Sequence, residues 1–435
     1  MHNVTDYTDL VETVLAKAAR EADEAEVYLS VSDSVSLELR RSQVGEAEKA
    51  VSWAMGIRTI TDGHIGASLT ESPARWEDCL RAALASGRIA NSQAWNGLPE
   101  PVQFSREIDT FDSTLIPDAG TATDLITALC NAAEGGEGEI AGGGVSLGRG
   151  SSLIANTHGV FYTRESTSAS ASLEVINGTS TGYEFDHVTY LRDLNTERVA
   201  KEAMFFADYW AGAGDIESCT ADIVLTPSAL SQLIGGILMP ALSGRNVHAG
   251  RSHLADKKGE PCMDSSFVLY DDPYVGKGAT RWDADGVATR KLDFIKDGTV
   301  QSFAYDLRTA YRYGETSTGS AVRSGAGGAP AVGVHCLKLD ARRDNVREEK
   351  AICTHGLIGA HTANTITGDF SVELSNAAWV ENGEYGAPIR SAMLSGNLFA
   401  MLADIAGAGE EKRELGRMTL PEVRFNNLHV IGKEQ

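Results

Sequence analysis

None of the ten histidines in this 435-residue chain is followed by glutamate, so neither HExxH nor HExxxH can be written anywhere in it. That excludes the common helical pairing of two zinc ligands with a glutamate base. The six cysteines, at 79, 130, 219, 262, 336 and 353, contain no CxxC pair and are too sparse for a disulfide framework. Most of them read as buried thiols, and none lies beyond Cys353. A run of roughly 20 apolar residues, the length a bilayer demands, is also missing. The best stretch, Leu233 to Leu242, is short and broken by glycines and a proline. Basic residues are scarce: 38 Lys and Arg against 60 Asp and Glu give a formal charge of -22. A field of that sign repels phosphate backbones and anionic headgroups, which argues against nucleic acid and membranes as partners. The opening MHNVTDYTDLVE has neither the basic nor the apolar stretch of an export signal, so the cytoplasm is the expected location.

What is present is ordinary globular composition, 42% hydrophobic and 23% charged, in a chain long enough for two large units. Leu10, Val11, Val14, Leu15 and Ala18 recur at helical spacing behind Thr8, a helix cap by type. Val35, Leu37 and Leu39 then alternate with polar residues, the period of a half-buried strand. Val51 to Ile60, Asp62-Gly63 and Ile65 to Leu69 read as a hairpin, and Ser152 to Tyr162 reads as another around Thr157-His158-Gly159. Pro73 to Ala90, Thr121 to Ala133 and a segment capped by Thr196 and running to Trp210 have helical spacing. The glycine-rich run 135–144 fits neither GxGxxG nor GxxxxGK[ST] and reads as a flexible connection, and SGAGGAP at 324–330 likewise lacks a nucleotide loop's lysine.

The fold expectation is therefore α+β. Residues 1–212 form an N-terminal unit with antiparallel sheet, its parts 1–97 and 118–212 joined by a proline-containing connection. Residues 213–435 form a mainly antiparallel β unit, barrel-like or sandwich-like, that includes an apolar segment of helical character over Ala229 to Leu242.

The stretch His361 to Asn397, HTANTITGDFSVELSNAAWVENGEYGAPIRSAMLSGN, resembles the C-terminal signature of the TldD/PmbA (TldE) family. AMGIRTITDGHIGASLTES at 54–72, LIANTHGVFYTRESTSASASLEV at 153–175 and DADGVATRKLDFIKDGTVQSFAYDLRTAYRYG at 283–314 match it in the same order. The resemblance implies a cytoplasmic metallopeptidase complex in which a TldD subunit holds zinc through the two histidines of HExxxH and a late cysteine. Such a three-ligand site leaves an open position for an activated water. Counting back from Ser252 places Gly235, Gly236 and Pro240 where the first ligand, the base and the second ligand would stand. None of the three side chains binds zinc, and the late cysteine is missing too.

The resemblance is thus to the TldE/PmbA side. It implies a non-catalytic subunit with no cofactor or catalytic residue of its own, beside a zinc-bearing TldD-like partner, on unfolded or extended peptides; pairing with itself when isolated is the further option. The alternatives are a self-sufficient hydrolase with a site foreign to the family, or a homodimeric peptide-binding protein without proteolysis. His335, Cys336, Cys353, His355 and His361 have metal-binding chemistry but scattered spacing, and His248 and His253 lie in a polar loop. Asp283 and Asp285 start like a calcium loop, but its twelfth position holds Phe294. GTSTG at 178–182 puts Ser180 at a GxSxG position, yet the following YEFDHVTYL reads as strand where a nucleophile elbow needs a helix. Arg323, Asn364, Gly368, Asp369 and Asn397 sit in the family-like blocks and are candidates for a cleft or subunit contact. Turn capping and a surface ion pair are the structural readings of the same residues.

Overall fold

The computed structural model describes residues 3–433. Six strands, β1 (Glu24–Arg40), β2 (Gln43–Thr61), β3 (His64–Thr70), β4 (Glu139–Asn156), β5 (Phe161–Asn177) and β6 (Ser180–Val188), form one sheet in the order β3-β2-β1-β4-β5-β6. Its pairings are all antiparallel, and the central β1–β4 ladder joins the two N-terminal subsegments into a single layer. Both expected hairpins are there. At the β2–β3 turn Asp62 and Gly63 take φ of 50° and 75°, the paired positive values of a tight hairpin turn.

Strand alternation gives this sheet two different faces. Odd positions of β1 from Val27 to Leu39, the half-buried Asp33 excepted, are buried under helices. α1 (Thr8–Ala18) and α2 (Trp76–Ile89) pack Val11, Val14 and Leu80 against Val27, Leu29 and Ile57. α3 (Ala119–Ala132) and α4 (Thr196–Trp210) pack Ile126, Leu129 and Val199 against Leu37, Leu147 and Leu173. Even positions, Glu26, Tyr28, Ser30 and Ser32 on β1, therefore point to the opposite face. The caps differ from expectation by one residue: Asn195 rather than Thr196 accepts the Arg198 N–H at 2.9 Å, and Thr8 follows a 3-10 turn capped by Asn3.

The glycine run is the clearest departure from the sequence reading. Gly142, Gly143 and Gly144 lie inside β4, opposite Arg40, Leu39 and Glu38 of β1. Gly143 has φ of +138°, and a Cβ there would stand 2.3 Å from the Ser172 carbonyl, so glycine lets the three strands close up rather than loosening them. The connection 98–117 is irregular but docked, with Leu98 and Leu115 buried and the Thr167 N–H bonded to the Thr110 carbonyl at 3.0 Å.

In the second half, β7 (Cys219–Leu225) and the strands Ala351–Ile358, Asp369–Glu381, Met393–Asn397 and Met418–Ile431 pair in a ring that returns to β7, a closed five-stranded barrel. Only the contact between β7 and Ala351–Ile358 is parallel within that ring. Ile223, Ile352, Val372, Leu394 and Phe425 form its core with Leu230, Leu233 and Ile237 of the helix that follows β7. That helix, α5 (Pro227–Leu233), is capped by Thr226 and continues as a π-turn over Ile234–Leu238 and one α-turn over Met239–Ala241. Pro240 has no N–H to give to Gly236, and the Met239 N–H reaches back to the Ile234 carbonyl instead. Among the described residues, no helix is long and apolar enough to cross a membrane.

Candidate functional site at the junction of the two sheets

The even-numbered face of the N-terminal sheet meets the second half through buried charge. Arg58 stands directly across from Glu26 in the β1–β2 register. Its Nη2 donates to Glu26 Oε2 at 2.6 Å and its Nη1 to Asp285 Oδ1 at 2.9 Å, while Arg323 pairs with the other Glu26 oxygen. Both acidic side chains are 1% exposed. Burial alone would raise the Glu26 pKa, but Arg323 and Arg58 together outweigh it and hold the carboxyl below its ordinary value. Asp283 is pushed the other way, well up, by burial and by the neighbouring Asp285. Its oxygens accept the backbone N–H groups of Asp285, Val287 and Ala321. The calcium-like stretch is therefore a buried turn whose carboxylates are occupied by backbone N–H groups, its own and those of Leu307 and Ala321, and by Arg58.

A second buried acid, Glu184 on β6, pairs with Arg413, which lines an 820 Å³ cleft at the same junction. Arg413 binds Glu184 with both guanidinium nitrogens, Nη1 at 2.9 Å from Oε2. His355 Nε2 lies 3.6 Å from the same carboxylate, and its ring packs 4.0 Å from that of Phe206. Burial lowers the His355 pKa to about 4 despite Glu184, so the imidazole is neutral at neutral pH. Cys353, two residues earlier on the strand, is raised to about 12 by burial among Val224, Val346 and Val380 and is an inert thiol.

The remaining candidates disperse. His335 Nε2 contacts the Gly319 carbonyl at 2.9 Å, the Cys336 N–H bonds to Asp271, and His361 is exposed in a 3-10 turn. These do not converge with Cys353 and His355, and no group of three or more metal-ligating side chains occurs among the described residues. His248 stacks on Tyr313 and His253 on Phe399. Ser180 opens β6 directly after a hairpin turn, its Oγ bonded to the Phe206 carbonyl at 3.4 Å, with strand following it. Arg323 lies in the junction, whereas Asn364, Gly368, Asp369 and Asn397 form a separate turn cluster. There Asn364 Oδ1 accepts from Ile366 and Thr367, and Asn397 Nδ2 donates to Asp369 at 2.8 Å while its Oδ1 caps Leu398–Leu402. Gly235, Gly236 and Pro240 lie on the extension of α5, and added Cβ atoms at the two glycines would have their nearest neighbours 3.8 Å away.

Residues 25–87, 115–208 and 218–432 match, in that order, the domain 1, central domain and C-terminal domain models of the PmbA/TldA metallopeptidases. The chain belongs to the PmbA/TldD family. It is 28% identical over 424 residues to an uncharacterised protein of Methanocaldococcus jannaschii, covering 95% of this chain and 98% of that one. It is 24% identical to the metalloprotease PmbA of Escherichia coli, with 96% and 95% covered. Among solved structures, TldE from Thermococcus kodakarensis superposes with a TM-score of 0.89 at 23% identity, over 97% of this chain and 100% of the other.

Sequence reasoning missed Glu26, Arg58, Glu184 and Arg413. A signal for Arg58 existed: it is a charged residue inside the uninterrupted buried run Met55–Ile60. A lone charge in such a run needs a partner.

Proposed function

We propose that this chain is a TldE/PmbA-type, zinc-free subunit that works beside a zinc-bearing TldD-like chain in a peptidase acting on unfolded or extended peptides. The observation that carries this reading is the chemistry at the motif helix. Glycine, glycine and proline occupy positions 235, 236 and 240, no histidine precedes a glutamate, and no cysteine follows Cys353. A hydrolytic zinc needs three side-chain ligands and a base, and this helix offers none.

Extended peptides bind by adding to a strand edge through main-chain hydrogen bonds, which asks little of side-chain sequence. The β6 edge is already used: the Phe185 and His187 N–H groups are taken by Glu184 and Asp186 side chains, and Arg413 donates to the Phe185 carbonyl. The strand Ile405–Leu415 is better placed, because residues Glu411 to Arg413 line both the 820 Å³ cleft and a neighbouring one of 790 Å³. On this reading Glu411→Pro weakens binding of an unfolded peptide, and unchanged binding would remove the strand-addition mode.

The subunit assignment is tested by cleavage of an unfolded protein substrate. The isolated chain should be inactive and the pair with a TldD-like chain active. Cleavage by the isolated chain would make it a self-sufficient hydrolase, and peptide binding without cleavage in either company would make it a binding protein.

A further inference from the structure

Against a net charge of -22, one cleft of this molecule is lined by bases. It has a volume of 540 Å³, within the range of small-ligand sites, and lies between the polar face of the N-terminal sheet and the second half. Arg164, Lys277, Arg323 and Arg417 line it, and the acid that joins them is Asp283. That carboxyl is spoken for by three backbone N–H groups, and burial beside Asp285 favours its neutral form. Arg323 is neutralised by Glu26 from behind. Lys277 feels Glu414 and Asp186 at the rim toward the larger cleft.

Arg164 and Arg417 are different. Among the described residues Arg164 has no ion pair or hydrogen-bond partner, and Arg417 gives a single bond, Nη1 to the Val334 carbonyl at 3.1 Å. Both arginines line this one cleft, where burial and, less strongly, Arg417 disfavour the charge of Arg164 against opposing contributions from Tyr28 and Cys336. An anion between two like charges relieves their repulsion, and the planar guanidinium fork suits carboxylate and phosphate oxygens. Around them the strand alternation presents small polar groups: Ser30 on β1, Ser152 on β4 and Ser166 on β5 all line the cleft, with Tyr28 and Trp282 as flat apolar walls. His335 and His187 add no positive charge of their own at neutral pH, since burial lowers both.

We propose that this cleft binds a small ligand or peptide end through an oxyanion group, carboxylate or phosphate, held by Arg164 and Arg417 with the serine hydroxyls beside it. The inference goes beyond the subunit assignment and does not depend on it, because it is read on the isolated chain. Calorimetric titration of the full-length protein with acetyl-trialanine as the free acid, with the same peptide as its amide, and with inorganic phosphate provides the test. Binding of the free acid or of phosphate, with the amide at least about tenfold weaker, supports the site, and which of the two binds identifies the source of the oxyanion. Arg164→Gln should weaken that binding by about tenfold or more while leaving the unfolding midpoint unchanged or higher, because it removes a desolvated charge without breaking a protein contact. Arg164→Lys, which keeps the charge and loses the fork, should fall between them. Arg81→Gln, an exposed residue of α2 paired with Asp78 outside every one of these clefts, should bind as the parent does. Failure of both the free acid and phosphate to bind, or equal binding by Arg164→Gln, would overturn the proposal.

Discussion

Arg58 satisfies two carboxylates at once; without it Asp285 loses its guanidinium partner and Glu26 keeps only Arg323. Truncating one member of a buried ionic set exposes the desolvation cost of the others, so Arg58→Met should destabilise the fold by about 3–5 kcal/mol, read by chemical denaturation. Glu26 titrates with this network. Its folded pKa is depressed, so its contribution is present above the unfolded value and is lost as pH falls through the folded one. His355 acts in the same direction for a different reason. With a folded pKa near 4 against an ordinary 6.5, it remains neutral when folded while the unfolded chain takes up a proton. Stability should drop by about 2 kcal/mol between pH 7 and pH 5 through this residue, and His355→Phe should remove that part of the slope in urea titrations at the two pH values. At this scale the sequence was least legible. Arg58 and Asp285 are 227 positions apart, and Glu184 and Arg413 are 229 apart, so only the folded junction pairs them.

Elements read better, because their causes are local. The Asp62-Gly63 turn, the apolar helix after Thr226-Pro227 and the strand alternation of β1 each follow from residue type at a spacing. The glycine run failed because glycine marks both loose connections and close backbone approach, and only the neighbouring strands tell which. Two substitutions separate those meanings. Gly182 on β6 faces α4 so closely that a Cβ would lie 1.9 Å from the Ala203 carbonyl, and Gly182→Ala should lower the melting temperature by several degrees. Gly235 in the α5 extension has room, its nearest neighbour being Met418 Cε at 3.8 Å, and Gly235→Ala should stabilise by about 0.5–1 kcal/mol through helix propensity. A loss of stability there would show that the π-turn needs glycine.

At the scale of the whole molecule, the α+β class and the β-rich second half were legible from periodicity and from the family resemblance. Barrel-like and sandwich-like both stayed open in the sequence, and the barrel is decided by the last strand pairing back to β7 across about half the chain. The absence of a zinc motif was fully legible, since it needs only adjacent residues. What the chain assembles with is written in surfaces, and on the proposed reading the clefts at the junction would take the peptide. The most direct measurement is the mass, subunit identity and zinc content of the complex recovered on a tagged copy from its native cells. The account predicts a roughly one-to-one assembly with an HExxxH-bearing chain, with the zinc in that chain. Recovery of this protein alone with stoichiometric zinc would contradict it.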